Sequence, residues 1–516
     1  MDRRLAALLS LPFLLALAPS PNPSPSPAAS AAPAVPASSP VSAPSATPTI
    51  GPQARAHWPV QTADPKTQEL IDRGVAMLYA FDTGEARVAF GEAIARDPNL
   101  ALAYWGMAEA DTIDINVPSS PEGERRGAAA AAQGRAHLRH ASPEERVLVD
   151  AIAGRYGDGT KQQRLARYAD ALSAYTKTHR DDPNLLTIAA FAMFDATPAF
   201  TDANDALTPK AREMLDDLDR ALVLEPTNIG AHHLRIHLLE NADRAKDAMP
   251  DAEALSSYGY PPGESHLPHM AAHIWARIGD YGRLVADNER AAANDRAWFA
   301  LGDGPGQQYM KRYHDHVVDF VLYGLTTQGR NDEARAFAKN EDAFSQVHAA
   351  LRLHDDASAL ALASPELHFT RAFASAREGN VTVARSERAK VVGDDATPRL
   401  ALIDAMLARR AGDIAGTVAA YGRAYDATKN AFPGDPKDDW WVPIGEGYGA
   451  ALLAAHRPAQ AQTVFTAELK RFPNDPHLEW GLAAALRAQG RDDSAPLAAY
   501  RSEWKGTRDL TLADLG

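Results

Sequence analysis

Residues 441–475 read WVPIGEGYGAALLAAHRPAQAQTVFTAELKRFPND, and residues 476–504 continue PHLEWGLAAALRAQGRDDSAPLAAYRSEW. Laid on one another, Gly449 falls on Ala483 and Ala461 on Ala495, each pair 34 residues apart. Apolar residues recur at helical spacing in both stretches, and small residues stand where two helices must cross closely. Each stretch therefore reads as a helical hairpin, and the two in succession read as part of a repeat array.

The same pattern runs back toward the start. QELIDRGVAMLYAFDTGEARVAFGEAIARDPN (68–99) has small residues at Gly74, Ala86 and Ala93, an aromatic at Phe90 and a closing Pro98, and ALAYWGMAEAD (101–111) restarts it. Further units stand at 265–295, 317–340, 366–391 and 399–427, with a weaker one at 227–255. Gly and Asp-Pro punctuate the chain, as expected of helix ends and starts. The pattern resembles the tetratricopeptide repeat: about 34 residues, two antiparallel helices, small residues at the crossing and a proline at the close. The resemblance implies an all-α tetratricopeptide-repeat solenoid of about eight to ten helical hairpins, some degenerate. It says little of chemistry, because such scaffolds serve many purposes.

The start of the chain is of another kind. MDRR followed by LAALLSLPFLLALA has the basic start and short apolar run of a secretory signal peptide, read here as residues 1–18. Residues 19–56 are dominated by Pro, Ala and Ser and read as a disordered linker, leaving 57–516 as the solenoid. The expected location is outside the cytoplasm, periplasmic or secreted, with no membrane insertion apart from the signal peptide. The chain has no cysteine, which excludes disulfides, thiolate metal sites and a cysteine nucleophile. Its formal charge of −14 argues against nucleic acid as a partner, which needs a basic footprint.

Eight of the 17 histidines lie between His232 and His316, in GAHHLRIHLLE, ESHLPHMAAHIWARIGDY and YHDHVVDF. His233, His237 and Glu240 are spaced i, i+4, i+7, and His266, His269 and His273 are spaced i, i+3, i+7. Both spacings put the side chains on one helical stripe. Imidazole is the commonest protein ligand for transition metals, and an i, i+4 pair chelates from one helix. In the tetratricopeptide family, positions 2, 5, 9 and 12 of each repeat's first helix face the concave groove. With units beginning near Ile229, Ser265 and Asp315, His233 and His269 both fall at position 5, and His237 and His273 both at position 9. His266 and His316 fall at position 2, Glu240 at 12, and Asp319 at 5, with Tyr323 also in the groove. The expected metal ligands are thus His233, His237, His266, His269, His273 and His316 in a groove over 229–323. Glu240 and Asp319 are the candidate bases or oxygen ligands. His232 and His314 fall off the stripe and read as structural.

The same fragments are similar to a subset of tetratricopeptide-repeat proteins with H-x-x-x-H-x-x-E, G-H-x-x-H-M-P-x-H-I and H-N-x-H-F motifs. Carried over, that pattern selects the six histidines and Glu240. Here Ser265 replaces the Gly, Ala271 the Pro, and Val317 and Asp319 replace the Asn and last His. The resemblance brings no reaction with it. Between the last two histidine helices, FALGDGPGQQYMKRY (299–313) lengthens the unit and reads as a loop over the groove.

Nitrogen and oxygen ligands without thiolate favour a divalent transition metal: zinc, copper, iron, nickel or manganese. Two functions compete. One is a metal-dependent enzyme, hydrolytic or oxidative, acting on a small molecule or peptide; the other is a scaffold whose groove binds a peptide or protein without chemistry. Metal storage or delivery lies between them. A catalytic centre requires few protein ligands per ion and an enclosed pocket; a peptide-binding groove is open and continuous.

Overall fold

The computed structural model describes residues 56–111, 119–261, 263–302, 307–393, 396–433 and 441–516. The signal peptide, nearly all of the linker, and residues 303–306 of the expected loop lie outside them. Among the described residues there are 24 α-helices and no strand, only an isolated antiparallel bridge between Thr201 and Leu207. None of these helices is long and apolar enough to cross a membrane.

The helices pair in chain order into twelve hairpins. The first three are α1 (Pro65–Tyr79) with α2 (Thr83–Arg96), α3 (Ala101–Ala110) with α4 (Pro121–Ala136), and α5 (Pro143–Arg155) with α6 (Lys161–Thr176). Next come α7 (Pro183–Ala196) with α8 (Pro209–Leu224), α9 (Ile229–Asn241) with α10 (Met249–Ser257), and α11 (His266–Ile278) with α12 (Tyr281–Phe299). Then follow α13 (Gln307–Thr327) with α14 (Asn331–Ala338), α15 (Ala343–Arg352) with α16 (Asp356–Leu362), and α17 (His368–Glu378) with α18 (Val381–Arg388). The last are α19 (Ala396–Arg410) with α20 (Ile414–Thr428), α21 (Ile444–Ala454) with α22 (Pro458–Arg471), and α23 (Pro476–Ala488) with α24 (Ser494–Glu503). The molecule is an all-α solenoid. Its twelve hairpins exceed the eight to ten legible in the sequence.

Local chemistry sets the helix starts. At Asp64-Pro65, Asp182-Pro183 and Asp475-Pro476 the aspartate accepts from backbone N–H groups of the first turn, and the proline fills the position that needs no donor. Packing sets the register. A methyl group added at Gly74 or Gly106 would lie 2.7 or 2.4 Å from the Phe90 ring, and one at Gly449 or Gly481 would lie 2.3 or 2.4 Å from Phe465. Residues 74, 90 and 106 are sixteen apart, as are 449, 465 and 481. One second-helix aromatic thus wedges between two first-helix glycines at both ends of the array.

The array curls until its first turn closes. The first helices α1, α7 and α9 pack together, α1 reaching α9 across more than 150 residues of chain. Tyr79 at the end of α1 packs on Gly230 and donates its hydroxyl to Asn184 at 2.9 Å. The concave face near α9 is therefore filled by the first hairpin, and the expected open groove is an interior here. On the other side the last hairpins return onto the middle of the chain. Tyr281 donates to the Pro473 carbonyl at 3.1 Å, the Lys505 amide to Gln328 at 2.8 Å, and Arg352 pairs with Glu446 at 3.0 Å.

The expected long loop at 299–313 is shorter than the sequence suggests, since helix takes residue 299 and residues 307–313. Its first residue ends α12 and its last seven begin α13, which at 19 and 21 residues are the longest helices described.

Candidate metal centre

α9, α11 and α13 are successive first helices, and their histidines meet in a fixed pattern. His233 and His237 of α9 are joined by His266 at the start of α11. His269 and His273 of α11 are joined by His316 of α13. In each trio one ring nitrogen per residue lies within 4.8 Å of the others. Positions 5 and 9 of one repeat thus meet position 2 of the next, twice, one repeat apart. All six side chains are buried, His233 and His269 completely.

The nitrogens that converge are mostly Nε2. His233 Nε2 stands 3.1 Å from His237 Nε2 and 3.0 Å from His266 Nε2. In the second trio His269 Nε2 stands 2.9 Å from His273 Nε2. The opposite nitrogens are held from behind. His233 Nδ1 donates to the Tyr79 carbonyl at 2.5 Å. His269 Nδ1 donates to Asn288 Oδ1 at 2.7 Å, and the Asn288 amide donates to the Leu284 carbonyl at 2.9 Å, which fixes its orientation. His273 Nδ1 lies 3.3 Å from Glu240 Oε1. Such outer hydrogen bonds select the tautomer that leaves Nε2 as a lone pair.

Burial, the largest cause, pushes His233 down to about 3, with the charge of His273 adding to it. Burial first and neighbouring imidazoles next push His237, His266, His269 and His316 well below the ordinary range. These five rings are held neutral, which is the ligating form. A backbone carbonyl can only accept, so the one proton of neutral His233 sits on Nδ1. Its single Nε2 lone pair nevertheless faces two other Nε2 atoms. One lone pair cannot accept two in-line hydrogen bonds, whereas a cation among the three nitrogens satisfies them all. Tetrahedral ligands with Zn–N bonds of about 2.0–2.1 Å stand roughly 3.3 Å apart, so these separations need open by only a few tenths of an ångström.

Aromatic rings wall both trios. Phe81 lies 4.5, 5.5 and 5.3 Å from His233, His237 and His266, centroid to centroid. Phe320 lies 4.7, 4.7 and 5.1 Å from His269, His273 and His316. Tyr313 touches both trios, 4.9 Å from His266 and 5.3 Å from His316. Phe81 occupies the left-handed position after α1 (φ 57°), where Gly279 and Gly379 stand after α11 and α17. A bulky residue there is strained by roughly 1–2 kcal/mol, and its ring packs on three imidazoles.

The other sequence candidates go elsewhere. Glu240 backs His273. Asp319 is bonded to His348 Nδ1 at 3.1 Å and belongs to neither histidine trio. Tyr323 packs on Tyr281 and lines a small cavity with Arg352 and Glu446. His232 pairs with Asp251 at 2.8 Å, and His314 with Asp295 and Glu341 at 2.9 and 3.1 Å; both are structural ion pairs. A third cluster, Glu446, Asp475 and His477, also has metal-like spacing. There Arg352 already holds both Glu446 oxygens, and Asp475 caps α23. Trp441 is buried and stacks on His348 at 4.7 Å; Trp440 lies outside the described residues. Sequence reasoning missed Phe81, Asn288, Tyr313 and Phe320. Only Phe81 carried a signal, standing where the repeat has glycine.

No protein-family pattern and no curated protein matches the chain. Solved structures similar to it include a human IFIT1 dimer with PPP-AAAA, at 12% identity over 86% of this chain and 91% of that one, with a TM-score of 0.33. The TPR domain of P58(IPK) is similar at 14% identity over 82% of this chain and 98% of that one, with a TM-score of 0.22.

Proposed function

We propose that this protein is a metalloenzyme in which two three-histidine clusters, built by consecutive repeats, each hold a divalent transition ion. The observation that carries the reading is His233 Nε2, a lone pair facing two other Nε2 atoms at 3.0 and 3.1 Å while its own N–H is held by Tyr79. Three protein nitrogens leave a fourth position for water or substrate, the arrangement of catalytic rather than structural zinc. Held by these nitrogens, a divalent ion would supply Lewis acidity and lower the pKa of bound water.

The remaining roles belong to the chain. Tyr79, Asn288 and Glu240 hold the imidazoles in their ligating tautomers, the Glu240 carboxylate standing on the His273 ring. Phe81, Phe320 and Tyr313 exclude bulk water, which strengthens electrostatic interactions within the site. An open peptide-binding groove fits this region less well, because α1 fills the concave face at α9. Export remains part of the proposal and rests on the first 18 residues alone; N-terminal sequencing of protein recovered outside the cytoplasm tests it. The test of the metal reading is elemental analysis of protein purified without a histidine tag. The expected result is two transition ions per chain; none after equilibration with zinc or copper would overturn the reading.

A further inference from the structure

A cavity of about 500 Å³ lies between the first hairpin and the segment leading into α11. That is the size of a small-molecule site. Its walls include Met77, Pro261, Gly263 and Trp298, and its mouth carries the exposed His57 and Glu69. Two carboxylates line it deep down: Asp82, 1% exposed, and Glu264, 6% exposed.

These carboxylates are built in but not satisfied. Asp82 caps α2 with Oδ1, which accepts from the Glu85 amide at 3.1 Å, while its Oδ2 is buried with no hydrogen-bond partner. Glu264 Oε2 is likewise buried without one. The cavity's own basic side chains are engaged elsewhere: Arg73 with Glu85 at 2.6 Å, and His57 with Asp72 at 2.8 Å. Two buried carboxylates with unused oxygens are costly unless a cation or donor meets them.

We propose that this cavity is a binding site for an organic cation, an alkylammonium group seated on Asp82 and Glu264 with its apolar part against Met77, Pro261 and the Trp298 indole. The size of the cavity and its apolar wall favour an organic cation over a bare metal ion, which needs six or more oxygen ligands if it is calcium. The indole suits a cation further. The position suits a substrate site. Asp82 follows Phe81, whose ring packs on the first trio, and Glu264 lies two residues before its ligand His266. The cation site stands on its own residues; only its role in presenting an amine-bearing substrate to the metal rests on the proposed function.

The test is calorimetric titration of the full chain, zinc-loaded and metal-free, with benzylammonium, with benzyl alcohol as its neutral counterpart, and with calcium chloride. Benzylammonium is expected to bind and benzyl alcohol to bind at least tenfold more weakly. D82N retains a capping oxygen, and E264Q retains the shape of the side chain; each should weaken benzylammonium at least tenfold while zinc content stays as in the wild type. A lysine-containing peptide and free butylammonium distinguish a side-chain source of the ammonium from a free amine, and binding by either supports the site. Equal binding of benzylammonium and benzyl alcohol, no binding of any ammonium probe, or binding of calcium in their place would overturn it. Loss of zinc with ammonium binding intact would instead overturn the metal reading and leave this site standing.

Discussion

If the two trios are separate centres, removing one ligand should remove one ion and half of the metal's stabilisation. The perturbation is His237→Ala in the first trio and His273→Ala in the second, measured with zinc buffered at one hundred times its dissociation constant and again with chelator. An ion that binds only the folded state then stabilises it by about 2.7 kcal/mol per site. Two independent sites give roughly 5.5 kcal/mol, a sizeable share of the 5–15 kcal/mol typical of a folded domain. Truncating a buried ring also opens a cavity, but that cost is present with and without zinc and cancels in the difference. Urea unfolding followed by circular dichroism should therefore show a zinc-minus-chelator increment near 5.5 kcal/mol for the wild type and near half that for either variant. Zinc stoichiometry should fall from two to one in parallel. His140→Ala, at an exposed histidine, serves as the control and should change neither. His232 is unsuitable as a control, because its bond to Asp251 is buried and its loss costs stability without touching the metal. Loss of both ions on a single substitution would mean one shared centre. An unchanged increment in both variants would refute the histidine ligands altogether.

Other outcomes follow from single features. His233 has its folded pKa depressed to about 3 by burial, so its contribution to stability is present above the unfolded value near 6.5 and lost as pH falls below it; metal-free wild type should lose stability faster than His233→Gln below pH 6.5, by up to about 1.4 kcal/mol per pH unit, and parallel urea profiles would contradict the burial. Phe81→Ala should expose the first trio, so that a colorimetric chelator strips one ion at least several-fold faster than in the wild type, the second being unaffected. Gly74→Ala should cost about 1–3 kcal/mol through its clash with Phe90, and a second change of Phe90→Leu should recover part of it in urea unfolding.

Much of this was legible because a repeat states its geometry many times. The small residues at 74, 449 and 483 fixed the frame, and the frame assigned His233 and His269 to one position and His237 and His273 to another. Which rings would meet was harder to read. The His-x-x-x-His pairs were compatible with one shared ion or with two, and the structure separates them: each pair takes its third partner from position 2 of the following helix. The enclosure was not legible at all. It depends on α1 meeting α9, a contact set by superhelical curvature accumulated over four hairpins, to which no local stretch testifies. Three hairpins were also missed. α15 and α16 are only ten and seven residues long, α7 is apolar all round, and α5 with α6 lacks the glycine–aromatic wedge.

The partners of the histidines separate structure from chemistry more sharply than their number does. His232, His314, His348 and His368 each present Nδ1 to a carboxylate, Asp251, Asp295, Asp319 and Glu387, at 2.7–3.1 Å. Such a ring can carry its proton: His314 is held up to about 9 by Asp295 and Glu341 in spite of burial. These hydrogen bonds tie helices together, in His314 as a cation. His233, His237, His266, His269 and His316 do not do this, because burial and neighbouring imidazoles disfavour a charge on them; His273, whose Nδ1 meets Glu240, is the exception. Neutral imidazoles also join the helices of the first trio poorly, since the single His233 Nε2 lone pair would have to accept from both His237 and His266. An arrangement that favours neutral rings, joins them poorly and recurs in the same repeat positions one unit apart is what supports the proposal of a cation among these nitrogens.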